Sequence, residues 1–253
     1  MANPTSEKQL LMLVNLSRVS GRSLLSRTLL ELNRHPDWKL RIIQVQETPV
    51  ADIVSALRDA TLDGIISSEM ELKPVADFLE KDDRPLVVIG TRRTCIPSRR
   101  KNVTFIRYRE ELIGETGARY LMSLGKFRTF AFVHYSEREY GYLSSLRKKG
   151  FRQELESQRF KWTTFGDPKH VGDADRKRMK EWLMDIPKPA AIMVGCDKRA
   201  VEVLDACTQL KIAVPDDISV VSVDNDEFLC HSTRPPLSSI QTNIGDMGER
   251  AVR

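Results

Sequence analysis

The sequence predicts an α/β protein of two doubly wound parallel-sheet lobes with a ligand cleft between them. Two observations carry this. Short runs such as Leu10–Val14, Leu86–Ile89 and Ala190–Val194 are apolar at every position, as expected of strands covered on both faces. They alternate with helical patterns, and the alternation runs through once, pauses, and begins again. Ligands bind such sheets beyond the carboxyl ends of the strands, so two facing lobes would hold a small molecule in the gap.

The first block opens with the strand Leu10–Val14. A turn-like stretch, Ser17–Gly21, leads into a helix marked by Leu24, Leu25, Leu29, Leu30 and Leu32, which ends near His35-Pro36. Leu40–Val45 reads as a strand and Val50–Leu57 as a helix. Asp63–Ile66 is a third strand and Pro74–Leu79 a short helix. Leu86–Gly90 is a strand closed by glycine, and Val103–Ile106 an edge strand beyond the polar loop Thr91–Asn102. The second block starts with a helix over Leu112–Leu124, stopped by Gly125. Strands follow at Thr129–His134, Phe160–Thr164, Ala190–Val194 and Ile218–Val223. Between them lie helices at Tyr142–Leu155, Arg176–Met184 (stopped by Pro187) and Arg199–Leu210, the last with Asp197 as its expected N-cap. Ile244–Arg253 reads as a helix without a stop signal. The expected division is residues 9–125 with 241–253 for the first lobe and 126–240 for the second.

Composition narrows the function classes. With 41% hydrophobic and 30% charged residues the chain is ordinary globular material, and no apolar run is long enough to span a bilayer. The start, MANPTSEKQLLMLVNL, lacks the basic and apolar regions of a signal peptide. The cysteines, Cys95, Cys196, Cys207 and Cys230, form neither a CxxC metal site nor a disulfide framework, which fits reduced thiols in the cytoplasm. The net charge of +5 permits an anionic or nucleic-acid partner without requiring one. Its one local concentration, Arg92, Arg93, Arg99, Arg100 and Lys101, reads as a solvated loop or as a loop facing ligand or DNA.

Signatures of enzyme chemistry are missing. GxxxxGK[ST], GxGxxG, GxSxG and HExxH do not occur. His35, His134, His170 and His231 have no metal-ligand spacing, so no metal and no cofactor are expected. Scattered carboxylates leave catalysis open in principle, but nothing marks a general acid or base. His134 ends a strand at the expected cleft, where it either touches ligand or serves the core.

Three segments carry a family resemblance. Asp217–Asp226, DISVVSVDND, followed by Pro235–Ile240, PPLSSI, and Met247-Gly248, resembles the C-terminal half of lactose-repressor-like regulators. Their pattern is a "dISVVG(f/y)D" strand, then "PPLTTI", then a glycine in the closing helix. Gly117–Gly125 is similar to the family's "a-x-x-hL-x-x-lGh" helix, and Met193–Ala200 to its "vx-N-D-x-x-A" strand-to-helix turn. The likeness spans nearly the whole chain, strongly after residue 110. Few residues precede the first strand, and the wording Val223-Asp224-Asn225-Asp226-Glu227 is nearest the xylose-regulator branch. In that branch sensing comes first and an arabinose-regulator-type pair of helix-turn-helix motifs follows. DNA binding is accordingly expected beyond Arg253, not within this chain.

The resemblance implies a periplasmic-binding-protein-like effector domain, a sugar or sugar-acid effector, and a homodimer joined through helices of the first lobe. No membrane association is implied. Effector binding would favour a closed arrangement of the lobes and reorient the DNA-binding parts. Asp224 matches the family carboxylate that accepts sugar hydroxyls, or else caps a turn. Arg147 matches an arginine that forks onto ligand oxygens, or else is a solvated helix residue beside Lys148 and Lys149. Asp197 matches an aspartate at a helix start, or simply caps that helix. Two positions depart from the family: its asparagine before Asp197 is Cys196, and its "D-N" pair near residue 110 is Arg109-Glu110. If Arg18, Arg109 and Arg147 converge they suit an anionic effector, and the expectation leans slightly to the acidic kind; equally, the site has lost its ligand or pairs these arginines with Asp224 and Glu227. The alternatives are a solute-binding protein of a sugar transporter, which would require export, and a sugar-modifying enzyme, which no motif supports.

Overall fold

A computed structural model describes residues 7–68, 72–90, 101–135, 141–166 and 173–253. The chain divides into two compact units, Met1–Tyr108 with Asn243–Arg253, and Arg109–Thr242. Each is built on one five-stranded, wholly parallel sheet.

In the first unit β1 (Lys8–Val14) lies between β2 (Trp38–Gln44) and β3 (Gly64–Ser67), followed by β4 (Leu86–Ile89) and the edge strand β5 (Val103–Ile106). Side chains alternate along a strand, so β1 feeds two cores. Leu11 and Leu13 pack under α2 (Val50–Leu57) and α3 (Lys73–Lys81) with Ile53, Leu57, Val75 and Leu79. Met12 and Val14 pack on the other face with Leu24 of α1 (Val19–Leu32) and Met247 and Val252 of α9 (Ile244–Val252). That double coverage is why β1 reads as an unbroken apolar run. At Gly248 a Cβ would run into the Leu24 carbonyl, so α1 and α9 meet backbone to backbone.

In the second unit the order is β10-β9-β8-β6-β7. The inner strands β6 (Thr129–Val133) and β8 (Ala190–Val194) are buried at every position. β9 is Ile218–Val223, and the edges are β7 (Trp162–Phe165) and β10 (Ser238–Ile240). One face packs Phe130, Phe132, Ala191 and Met193 against Ala118 and Leu121 of α4 (Glu110–Leu124) and Phe151 and Leu155 of α5 (Gly141–Ser157). The other packs Ala131, Ile192 and Val194 under α6 (Asp173–Asp185) and α7 (Asp197–Gln209). A short α8 (Glu227–Ser232) links β9 to β10.

The expected boundary near residue 125 moves to Tyr108/Arg109, because α4 packs on α5, β8 and β9 and so belongs to the second unit. The C-terminal helix belongs to the first unit. Asp197 is not the N-cap of α7: Cys196 holds that position and Asp197 is the first helical residue. The short elements α8 and β10 were not anticipated. Arg92, Arg93, Arg99, Arg100, Cys95 and His170 lie outside the described residues. Among the described residues no helix is long and apolar enough to cross a membrane, and no group of three metal-ligating side chains occurs.

Candidate ligand-binding site

Parallel strands bring β6, β8 and β9 to a common carboxyl edge in the second unit. The residues that follow them are His134, Gly195-Cys196-Asp197 and Asp224. Arg147 reaches this edge from α5. Its position depends on two glycines. A Cβ at Gly150 would collide with the Glu111 carbonyl, and one at Gly114 with the Arg147 carbonyl. The backbones of α4 and α5 therefore touch, which sets Arg147 beside Glu110 at the start of α4.

Arg147 is not a solvated helix residue. Its side chain is 9% exposed; Nε donates to Glu110 Oε2 at 2.7 Å, and Nη1 donates to the Gly195 carbonyl at 2.7 Å and to Asp224 Oδ1 at 3.5 Å. Burial pulls its pKa down, but the adjacent Glu110 and Asp224 carboxylates outweigh this and hold it above the ordinary value. Among the described residues Nη2 has no hydrogen-bond partner. Glu110 is likewise buried, its side chain 10% exposed.

Asp224 sits on an unusual backbone. Its φ is +109° and that of Asn225 is +52°, left-handed values that L-residues adopt at a cost of about 1–3 kcal/mol each. Neighbours hold this turn. The Asp224 amide donates to the Ile240 carbonyl at 3.0 Å, the Asn225 amide to Ser239 Oγ at 2.9 Å, and the Asp226 amide to Asp197 Oδ2 at 2.7 Å. The Asp224 carboxylate stays one-third exposed at the rim.

Asp197 is the fastening beneath. Its carboxylate, almost wholly buried, accepts from Ser222 Oγ, from Ser239 Oγ at 2.6 Å, from the Asp226 amide, and at 3.7 Å from Cys230 Sγ. Burial raises its pKa, and the hydrogen bonds from Ser222, Ser239 and Asp226 work against that rise. The aspartate that looked like a cap thus ties β8, β9, β10 and the Asp224 turn together.

The other expected residues are less central. Cys196 is buried, and burial with the nearby Asp224 charge pushes its thiol far up, so it is a neutral wall. His134 is 2% exposed; its Nδ1 shares a 3.2 Å hydrogen bond with Ser144 Oγ, which also accepts from the Tyr135 amide at 3.1 Å. Arg109 is exposed at the N-cap of α4 and caps no backbone group. Arg18 holds the equivalent place before α1, in the first unit. Sequence reasoning missed Glu110, Ser222, Ser239 and the Gly195 carbonyl. Glu110 was masked because an acid in the first turn of a helix is ordinary.

A carboxylate one-third exposed, next to a buried guanidinium whose Nη2 has no partner among the described residues, offers acceptor and donor side by side, which suits adjacent hydroxyls. Comparison with known proteins bears on the family and the fold. The family described as periplasmic binding protein-like domain matches residues 118–253, more than half of the chain. The xylose operon regulatory protein of Escherichia coli K12 is 26% identical over 204 residues, covering 79% of this chain and 51% of that protein. The chain therefore spans about half the length of this relative. Among solved structures, a xylose-binding transcription activator superposes with a TM-score of 0.75 at 22% identity, covering 98% of this chain and 62% of that one. A periplasmic binding protein/LacI transcriptional regulator from Alkaliphilus metalliredigens, complexed with D-xylulofuranose, gives 0.69 at 18% identity, covering 98% and 88%. At these identities the solved structures share the fold.

Proposed function

Because this chain belongs to the periplasmic binding protein-like domain family, we propose that it is the effector-sensing part of a bacterial transcription regulator, binding a sugar or sugar acid and controlling carbohydrate genes. The observation that carries the reading is the Arg147–Asp224 pair at the carboxyl edge of the second sheet. Asp224 accepts hydroxyl hydrogens, Arg147 donates to a hydroxyl oxygen, and Cys196 forms part of the wall. Arg109 and His134 are assigned supporting contacts. Asp197 acts through the turn it holds and not by touching ligand. The relatives regulate operons, which favours sensing over a transporter's solute-binding protein.

In the same reading the protein acts in the cytoplasm as a homodimer, contacts DNA through a separate domain, and is allied with the xylose regulators and their arabinose-regulator-type DNA-binding motifs. It performs no catalysis and uses no cofactor. Effector acts by population shift, which requires that it bind one state of the protein better than another.

Titration calorimetry tests the proposal. The panel is D-xylose, D-ribose, D-glucose, D-glucuronate and ribose 5-phosphate. Saturable heat with at least one, lost in Asp224→Ala and Arg147→Ala proteins that still melt cooperatively, is the expected result. Absence of binding across the panel in folded protein refutes it.

A further inference from the structure

The charge balance around Arg147 narrows the effector class, on the premise that this edge is the sensing site. A buried guanidinium needs a counter-charge, and an anionic effector could supply it. Here the protein supplies it already. Glu110 lies 2.7 Å from Arg147 Nε, and both side chains are about nine-tenths buried. A second carboxylate, Asp224, lies 3.5 Å from Nη1. Among the described residues, Arg147 thus pairs with two carboxylates before any effector arrives.

The donor geometry points the same way. A carboxylate or phosphate binds arginine best through two parallel N–H donors on one edge of the fork. Both edges of Arg147 contain an engaged nitrogen: Nε is held by Glu110, and Nη1 by the Gly195 carbonyl and Asp224. Among the described residues, what remains is Nη2 beside an acceptor carboxylate, the complement of a hydroxyl.

We propose that Glu110 sets the charge selectivity of the site: by neutralising Arg147 from within the protein it admits uncharged, hydroxyl-bearing sugars and excludes uronates and sugar phosphates. A carboxylated effector would meet Asp224 and Glu110 across a weakly screened interval, which lowers its affinity by roughly tenfold or more.

The experiment pairs each neutral sugar with an anionic derivative. D-glucose and D-glucuronate, and D-ribose and ribose 5-phosphate, are titrated into the parent protein and into Glu110→Gln. The parent is expected to favour the neutral member of a pair at least tenfold. In Glu110→Gln the discrimination should shrink about tenfold through tighter binding of the anion. A merely structural role would weaken both members alike and leave the ratio unchanged. A parent that binds the anion as well as its neutral partner overturns the inference, as does an unaltered ratio in the variant. If Glu110→Gln does not fold, the ratio in the parent alone decides. Binding confined to the anions refutes the inference and leaves the sensing role standing. Silence from every compound in folded protein overturns both.

Discussion

Asp197→Ala is the perturbation that most directly tests how the rim is held. The substitution removes the acceptor of the Ser222 and Ser239 hydroxyls and of the Asp226 amide. The hydroxyls can turn, and Ser222 has the Ser238 carbonyl at 3.4 Å as a second acceptor. The Asp226 amide cannot turn. Removing its Asp197 acceptor costs about 1–3 kcal/mol, and each hydrogen bond to a charged group contributes about 1.5–3 kcal/mol. Against this, the variant no longer buries a carboxylate. The net loss comes to about 3 kcal/mol. At roughly 2–4 °C per kcal/mol for a chain of this size, Tm should fall by about 6–12 °C. Asp197→Asn keeps one acceptor oxygen and should lose about half as much. There is also a pH signature. The Asp197 pKa is raised in the folded chain, so the native state holds its proton to higher pH than the unfolded state does. That contribution is favourable at low pH and is lost as pH rises above the ordinary carboxylate range toward the raised value. Urea melts of the parent and Asp197→Asn across pH 4–8 should therefore differ in slope with the parent falling more steeply. A Tm for Asp197→Ala within about 1 °C of the parent would refute the fastening role.

Other consequences follow from the same packing. Gly150→Ala drives a Cβ into the Glu111 carbonyl, so α4 and α5 must part. About 1–3 kcal/mol should be lost in urea melts, and sugar affinity should fall in calorimetry as Arg147 leaves Glu110. Asp175→Ala strips the buried Arg199 of its 2.5 Å partner, leaving the exposed side of Glu202 as its remaining carboxylate, and should cost about 3–5 kcal/mol in the same melts. Burial pushes the Cys207 thiol up to about 11 and that of Cys230 up to about 12. Both, with Cys196, should resist iodoacetamide at pH 8 in native protein and react once unfolded, as read by peptide mass spectrometry.

The parts legible in the sequence are those whose cause is local. β6 and β8 are buried on both faces, so their apolar runs announce themselves, and α2, β5, β8 and β9 fall where periodicity sets them. The elements that escaped depend on distant partners. β10 has three residues and is a strand because β9 lies beside it. Helix α4 shows an apolar face, but a face does not say which sheet it will cover; the Gly114–Gly150 contact with α5 decides that. Asp197 and Glu110 both read as ordinary acids at helix starts. Their carboxylates turn instead toward β9, β10 and α5, groups that are remote in sequence.

This dependence explains why site residues recognised by type can be right in place and incomplete in chemistry. Asp224 stands where a strand ends, which a sequence motif can mark. Its presentation is another matter, because two left-handed residues in succession persist only when surroundings over-determine them. Ser239 and Ile240 of β10 and Asp197 of α7 do so from two separate segments. In the same way the identity of Arg147 suggests an anion, and its environment argues the reverse, because Glu110 has already answered the charge. The chemistry of this rim is thus set one layer below the atoms that would touch an effector. Replacing Glu110 should change which sugars bind, whereas replacing Asp197 should change how firmly any of them binds.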